Sequence, residues 1–365
     1  MPTLPLAQAF TARALGVAWN KYRESLGLPP YLGRSFFGTD KKMGLDLKFI
    51  KGAKGLPVSL KASHFDALAP LRNPIGFKEI QNEMPFFRES YMVTEREEQD
   101  YMRCVDSNND AYGMQVLREI MKKPLDLVQG ADVVPERMIW QLLAPADGVP
   151  RIVVTVDGGE TYAIDYTDDA GAAYKEKNFI ELSGTSLWSA AETATPIQDL
   201  VDAQDQHEEN HGEKLTRFVM NKATWRMLVK AADTRVQVLG AEAAKTGQML
   251  KDADVKKYLE DNYDITVYIY NKMYVAEDGS TQKFIADGVV SGIAGHIEQL
   301  GTVWYGTTPE ERSGDEAAGT LSIVNTGVSV YTYQTEHPVN THCVVSEIVL
   351  PSYECMDSVV VMKVA

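Results

Sequence analysis

The 365 residues include only three cysteines, Cys104, Cys343 and Cys355. They are too few and too scattered for a disulfide framework or a four-ligand zinc site, so a reducing compartment is expected. No apolar run approaches the roughly 18–20 residues that a membrane span needs. The opening MPTLPLAQAF also lacks the basic-then-apolar layout of a secretory signal. A soluble protein without a membrane partner is expected. Phosphate loops are missing too, with no G-x-x-x-x-G-K-[ST] and no strand-coupled G-x-G-x-x-G, and there is no G-x-S-x-G nucleophile elbow. Neither an internal repeat nor a low-complexity segment is present. What remains is 44% hydrophobic and 24% charged, an ordinary folded composition with room for two or three domains.

Net charge is −15, unevenly spread. Residues 1–63 hold ten Lys/Arg against three acids (+7), which leaves −22 on residues 64–365. An acidic body repels phosphate backbones and argues against tight nucleic-acid binding. The basic N-terminal fifth could touch nucleic acid or lie across the acidic body of another copy. Trp19, Phe36, Phe37, Phe49 and Ile50 among its lysines favour the second.

The order of patterns reads α+β, without sustained βαβ alternation. A short helix is expected near 6–24, and the rest of 1–42 reads as an extended arm. Residues 43–84 resemble a two-stranded ribbon with a loose tip, which needs a surface to lie on. Residues 94–143 read as mainly helical. Val116, Leu117, Ile120 and Met121 share one face, Pro124 and Gly130 are expected to break that helix, and a second run covers Pro135–Ala144. Ile152–Val156 and Tyr162–Ile164 flank Asp157-Gly158-Gly159 as a hairpin. Thr195-Pro196-Ile197-Gln198 fits a capping box, with Gly212 placed to stop the helix. Phe218–Met220 reads as a strand, and Asn221 caps the helix after it. Strands are expected at Asp264–Tyr270, Val328–Tyr333, Cys343–Val349 and Val359–Val364, with a turn at Asp278-Gly279.

One motif suggests chemistry. His207-Glu208-Glu209-Asn210-His211 is a literal H-E-x-x-H, the zinc-hydrolase spacing in which two histidines bind the metal and the glutamate activates water. Its flanks are polar (Ala203-Gln204-Asp205-Gln206, Gly212-Glu213-Lys214), unlike the dry cavity a catalytic metal needs. Glu242 or Glu260 as third ligand is guesswork. Two histidines near a helix C-terminus also gain from its dipole. His337, His342 and Cys343 cluster in sequence but read as ordinary loop and core residues. No catalytic, cofactor-binding or metal site is assigned, and no cofactor is expected.

Four stretches together resemble the lambda-type major capsid proteins of tailed bacteriophages (major capsid protein E). The first is Glu136-Arg137-Met138 with Leu142-Leu143. The second is Leu187-Trp188-Ser189 followed by Thr195-Pro196-Ile197-Gln198-Asp199-Leu200, where Thr195 replaces the family's usual Asp. The third is Phe218-Val219-Met220-Asn221 leading to Trp225, then Tyr305-Gly306-Thr307-Thr308-Pro309-Glu310. The last is Glu336-His337-Pro338, Val345-Ser346, Leu350-Pro351-Ser352 and Asp357.

The resemblance implies an HK97-like capsid fold and a non-enzymatic structural role. Its domain layout is an arm at 1–42, an E-loop at 43–84, a P-domain at 85–190 with a spine helix, an A-domain at 191–324, and closing P-domain strands at 325–365. It implies hexamers and pentamers of an icosahedral virion shell around double-stranded DNA, assembled in the host cytoplasm. The implied partners are a separate scaffolding protein, a portal protein and, in some relatives, a decoration protein, with only weak contact to packaged DNA. Lys51, Lys54 and Lys61 lie near the ribbon tip, but nothing identifies a cross-linking pair and none is expected. The alternatives are a zinc-dependent hydrolase using residues 207–211 and a non-capsid assembly protein such as a tail component. Arm and ribbon are both expected to find their burial on neighbouring copies.

Overall fold

The computed structural model describes residues 11–26, 30–51, 78–106, 110–155, 161–167, 171–242, 249–313 and 319–365. The chain begins with α1 (Ala12–Leu26), a 3-10 turn (Gly33–Phe36) and β1 (Phe37–Lys41). Then come β2 (Asp46–Lys51), β3 (Lys78–Glu83), β4 (Phe86–Val93), α2 (Glu95–Asp106) and α3 (Asp110–Leu143). The middle holds β5 (Arg151–Thr155), β6 (Thr161–Asp165), α4 (Gly171–Asn178), β7 (Phe179–Glu181), α5 (Pro196–His211) and β8 (Leu215–Met220). It continues through α6 (Lys222–Lys230), α7 (Ala232–Leu239), α8 (Asp252–Tyr263), β9 (Thr266–Ile269), β10 (Met273–Val275) and β11 (Thr281–Lys283). The last are β12 (Val289–Ala294), β13 (Gly301–Tyr305), α9 (Pro309–Ser313), β14 (Thr320–Val324), β15 (Val328–Gln334), β16 (Thr341–Pro351) and β17 (Val359–Lys363).

Two compact units result. The first takes described residues within 1–47, 81–137 and 302–352, and the second those within 48–80, 138–301 and 353–365. The layout implied by the resemblance groups some of these strands otherwise. β13 and β14, inside 191–324, join the first unit's sheet, and β17, inside 325–365, joins the second's. Composition marks where loops lie. It does not reveal which distant strand an element pairs with.

The first unit is built on a six-stranded sheet in the order β1-β13-β16-β15-β14, with β4 also paired to β16. The strand β16 is eleven residues long and almost wholly buried. Over Thr341–Ser346 it pairs with both β15 and β4, and β13 joins it at Val349–Pro351. Ala12, Leu15 and Trp19 of α1 and Ile120, Leu125 and Val128 of α3 share one core with Val93, Val324, Val328, Val330, Cys343 and Val345.

The helix expected near 6–24 is present as α1, but it is packed on its own sheet instead of waiting for a neighbour. The Ala12 N–H, which no helical carbonyl can satisfy, donates to Thr320 Oγ1 (3.1 Å) and Thr332 Oγ1 (3.2 Å). At Gly16 a Cβ would stand 3.0 Å from Ser322 Oγ, so glycine lets helix and strand approach. The expected break at Pro124 and Gly130 is also overturned. α3 runs unbroken for 34 residues with Pro124 and Pro135 inside it, a span of about 50 Å. Each proline removes one backbone donor, yet both are buried, and around Pro124 the helix is held by Ile120, Leu125 and Val128 in the core shared with the sheet.

In the second unit the sheet order is β7-β17-β12-β8-β9. β12 pairs antiparallel with β17 and β8, while β17–β7 and β8–β9 are parallel. All six residues of β12 are buried. Gly212 stops α5 in the left-handed region (φ 71°), and Asn221 Oδ1 accepts from Thr224 N at 2.8 Å to cap α6, both as expected. The capping box at Thr195 is not formed. Pro196 does open the helix, but the Thr195 side chain caps nothing and Gln198 Nε2 donates to Asp202 Oδ1 (2.7 Å) instead. The 157–159 turn lies outside the described residues, while its flanking strands β5 and β6 pair as predicted. β10 and β11 flank the expected turn, with Gly279 at φ 80°.

Candidate assembly surfaces

The root of the N-terminal arm is fastened to α3 by side chains with no apolar substitute. Gly33 N donates to Glu136 Oε1 (2.9 Å) and Arg34 N to Glu136 Oε2 (3.2 Å), so one fully buried carboxylate holds two successive backbone donors. One turn earlier, Asp132 pairs with Arg34 Nη1 at 2.8 Å and also accepts from Asn325 Nδ2 at 3.2 Å. Arg34 Nη2 donates to the Asp132 carbonyl at 2.6 Å. The Tyr31 phenol beside them is pushed up to about 12, first by burial and then by Asp132. The Glu-Arg-Met step of the family pattern therefore has a physical purpose, because Glu136 anchors the strand that leads into the ribbon.

That ribbon starts directly beyond. β2 and β3 pair with each other and with no other described strand. Leu47 is buried, and Met84 N donates to the Leu45 carbonyl at 2.8 Å. The tip at 52–77, with the lysines considered for cross-linking except Lys51, lies outside the described residues.

The Tyr-Gly-Thr-Thr-Pro-Glu loop knits the first unit's strands. Glu310 accepts from Ser346 Oγ (2.9 Å) on β16 and is paired with Arg88 on β4. Glu311 pairs with Lys41 on β1 (2.6 Å) and accepts from Ser329 Oγ (3.0 Å) on β15. Ser352, from the closing stretch, accepts from Trp304 Nε1 at 3.1 Å. In the second unit Trp188 Nε1 donates to Asp199 Oδ2 at 2.8 Å, tying the Trp-Ser turn to α5. Burial raises the Asp199 pKa while this N–H opposes it. Asn221 also reaches the Ile285 carbonyl (3.1 Å) and Asp287 (2.6 Å). The motif residues thus act as junctions between elements far apart in sequence.

The H-E-x-x-H segment gathers no third metal ligand among the described residues. His207 and His211 are buried in α5 with ring centroids 4.7 Å apart, but Glu208 points to solvent. The candidate third ligands Glu242 and Glu260 are exposed. Among the described residues no group of three His, Cys, Asp or Glu could hold a metal ion. His342 stacks on Tyr333 at 4.9 Å, Cys343 is fully buried with its thiol pushed up to about 12 by burial, and His337 is exposed.

The family model for phage major capsid protein E matches residues 11–363, the whole span over which these junctions are distributed. The chain belongs to the phage major capsid protein E family. Its structure aligns with the protein described as a prophage capsid protein of Escherichia coli CFT073 over 98% of this chain and 99% of that one, with TM-score 0.60 at 14% identity. A phage-related protein of Bordetella bronchiseptica RB50 aligns over 97% of both chains with TM-score 0.49 at 10% identity. The capsid of Myoviridae phage XM1 aligns over 92% of this chain and 91% of that one with TM-score 0.45 at 9% identity. A search of curated proteins finds no match. The fold of this capsid protein is HK97-like, and its role is structural: it is a component of the phage shell.

Proposed function

We propose that this capsid protein closes into hexamers and pentamers of an icosahedral shell around double-stranded DNA, with the ribbon at 43–84 reaching over the next subunit. One observation carries the reading: β2 and β3 form a two-stranded sheet that finds no third strand among the described residues. Such a ribbon is marginal in water and gains stability when laid on a surface. A head-to-tail interface of this kind uses two different patches and closes into rings at a fixed rotation.

In this reading the unit with α3 and the six-stranded sheet is the P-domain, preceded by the arm and E-loop. The unit with the five-stranded sheet is the A-domain. The pairing of β17 with β12 supports drawing that A-domain as 138–301 with 353–365. The net charge of −15 suits an inner wall that must not grip DNA, so contact with packaged DNA is weak. A scaffolding protein and a portal protein are the expected partners, with a decoration protein as an optional third, and assembly belongs to the host cytoplasm. No catalytic or metal-binding residue is assigned.

Deleting residues 43–84 tests this reading. The variant should remain soluble and partly folded while electron microscopy finds no shells; normal shells would remove the ribbon from the assembly mechanism. Glu208→Gln separates the hydrolase alternative. Shell yield should match the parent protein, whereas a hydrolytic activity lost on this substitution would revive the zinc reading.

A further inference from the structure

Two strands of the first unit flank the ribbon in sequence, β1 before it and β4 after it, and both reach the same short helix. At the entry, Lys42 N donates to the Tyr305 carbonyl at 2.8 Å. At the exit, the Pro85 carbonyl accepts from Val349 N at 3.4 Å. Tyr305 and Val349 are cross-strand neighbours in β13 and β16, so both ends of the ribbon meet the sheet at one place. From Tyr305 the chain passes through Gly306–Thr308 into α9, which carries Glu310 and Glu311.

Each of these carboxylates is divided between two partners. Glu310 Oε2 accepts from the buried Ser346 hydroxyl of β16 at 2.9 Å, and its Oε1 pairs with Arg88 of β4. Glu311 Oε1 accepts from the buried Ser329 hydroxyl of β15 at 3.0 Å, and its Oε2 holds Lys41 of β1 at 2.6 Å. Thr308 Oγ1 lies 2.6 Å from Ser329 Oγ and can donate to it, which leaves the serine proton for Glu311. Open surface ion pairs contribute little, because two long side chains must lose their freedom in high dielectric. Here both acid side chains are only 9% exposed, and serines fixed in the sheet already orient them. Preorganisation of that kind reduces what is lost when the cation closes. The unit's apolar core is made without these residues, so the grip fixes placement more than folding.

We propose that Glu310 and Glu311 are positioning residues of the ribbon: by gripping the strand on either side of it, they set the direction in which 43–84 leaves the subunit. Their effect on shells rests on the reading that the ribbon reaches over the next copy. A ribbon without a fixed direction has to give up that freedom when it docks.

Pulsed electron spin resonance on the full-length, unassembled chain measures the direction. Spin labels go on Asp46→Cys in β2 and Ile323→Cys in β14, both exposed, with Cys104 and Cys355 replaced by serine and Cys343 buried. The parent should give one narrow distance distribution. Glu310→Gln combined with Glu311→Gln keeps an acceptor oxygen for each serine and removes the charge. With the root then free to open locally, the distribution should widen about twofold. Exchanging both pairs (Lys41→Glu with Glu311→Lys, Arg88→Glu with Glu310→Arg) should narrow it again, which a purely structural role would not do. A broad parent distribution, an unchanged width in the glutamine variant, or no rescue by the exchange overturns the proposal. If the glutamine variant does not fold, Lys41→Gln with Arg88→Gln makes the same test from the exposed ends; failure of both to fold makes the pairs structural and overturns it too. Shell yield, read beside the 43–84 deletion, keeps the two readings apart. Normal shells from the deletion remove the assembly reading and leave the distances to decide the grip. Shells lost on deletion but formed in full by a widened glutamine variant overturn the part of Glu310 and Glu311 in assembly.

Discussion

Glu136 shows what a single side chain contributes. It is fully buried, and its cost of burial is offset by two backbone donors whose positions are fixed by the turn at Gly33–Phe36. Removing it leaves two N–H groups without their acceptor, so Glu136→Ala should lower stability by about 2–3 kcal/mol. Urea unfolding should show the loss as a lower midpoint at unchanged slope. Glu136→Gln keeps one acceptor oxygen and should lose less. As a sequence letter Glu136 stood out only because it matched a family pattern. Its partners are about a hundred positions away, and no local spacing identifies them. Asp132 and Arg34 carried no signal at all, since an acid on a helix and an arginine in a loop usually face water.

Among the elements, α3 and α1 were legible in kind but not in extent or placement. Helical periodicity survives both prolines in α3 because the apolar face continues past them, yet punctuation rules predict a stop. Gly130 lies exposed within this helix, and a Cβ there would meet nothing within 4 Å. Gly130→Ala should therefore raise stability by about 0.5–1 kcal/mol, read as a higher melting temperature of the unassembled chain. β4 and β12 escaped the sequence reading for different reasons. Phe86–Val93 has an irregular burial pattern without clean alternation, and Val289–Ala294 is buried on both faces and cannot alternate. The arm helix illustrates the limit of charge reasoning. Its lysines and arginines suggested a strap for a neighbour, but Leu15 and Trp19 find their burial on the subunit's own sheet.

For the whole molecule, electrostatics acts at two ranges. Net charge of −15 repels approaching copies, while in the proposed shell the +7 on residues 1–63 would attract the acidic body of a neighbour. The Debye length falls from about 30 Å at 0.01 M salt to about 3 Å at 1 M. Assembly should therefore be slow at low salt, where long-range repulsion acts, and weakened at high salt, where the ribbon contact is screened. Light scattering across a salt series should show an optimum between them. A steady rise to 1 M would mean that the basic stretch contributes nothing across the interface.

Local chemistry decided much of this protein before any contact formed: helix where apolar residues recur, turns at Asp278-Gly279 and Gly212, the cap at Asn221, and the ordered motifs that mark the family. Those signals depend on neighbours within a few residues. Tertiary structure alone decided that α1 folds back onto its own sheet, that β17 completes the second unit, that two histidines in H-E-x-x-H spacing turn away from their glutamate, and that Glu347 is buried without a hydrogen-bond partner among the described residues. Each of these depends on which distant surface covers a residue, and distance in space leaves no mark on spacing along the chain.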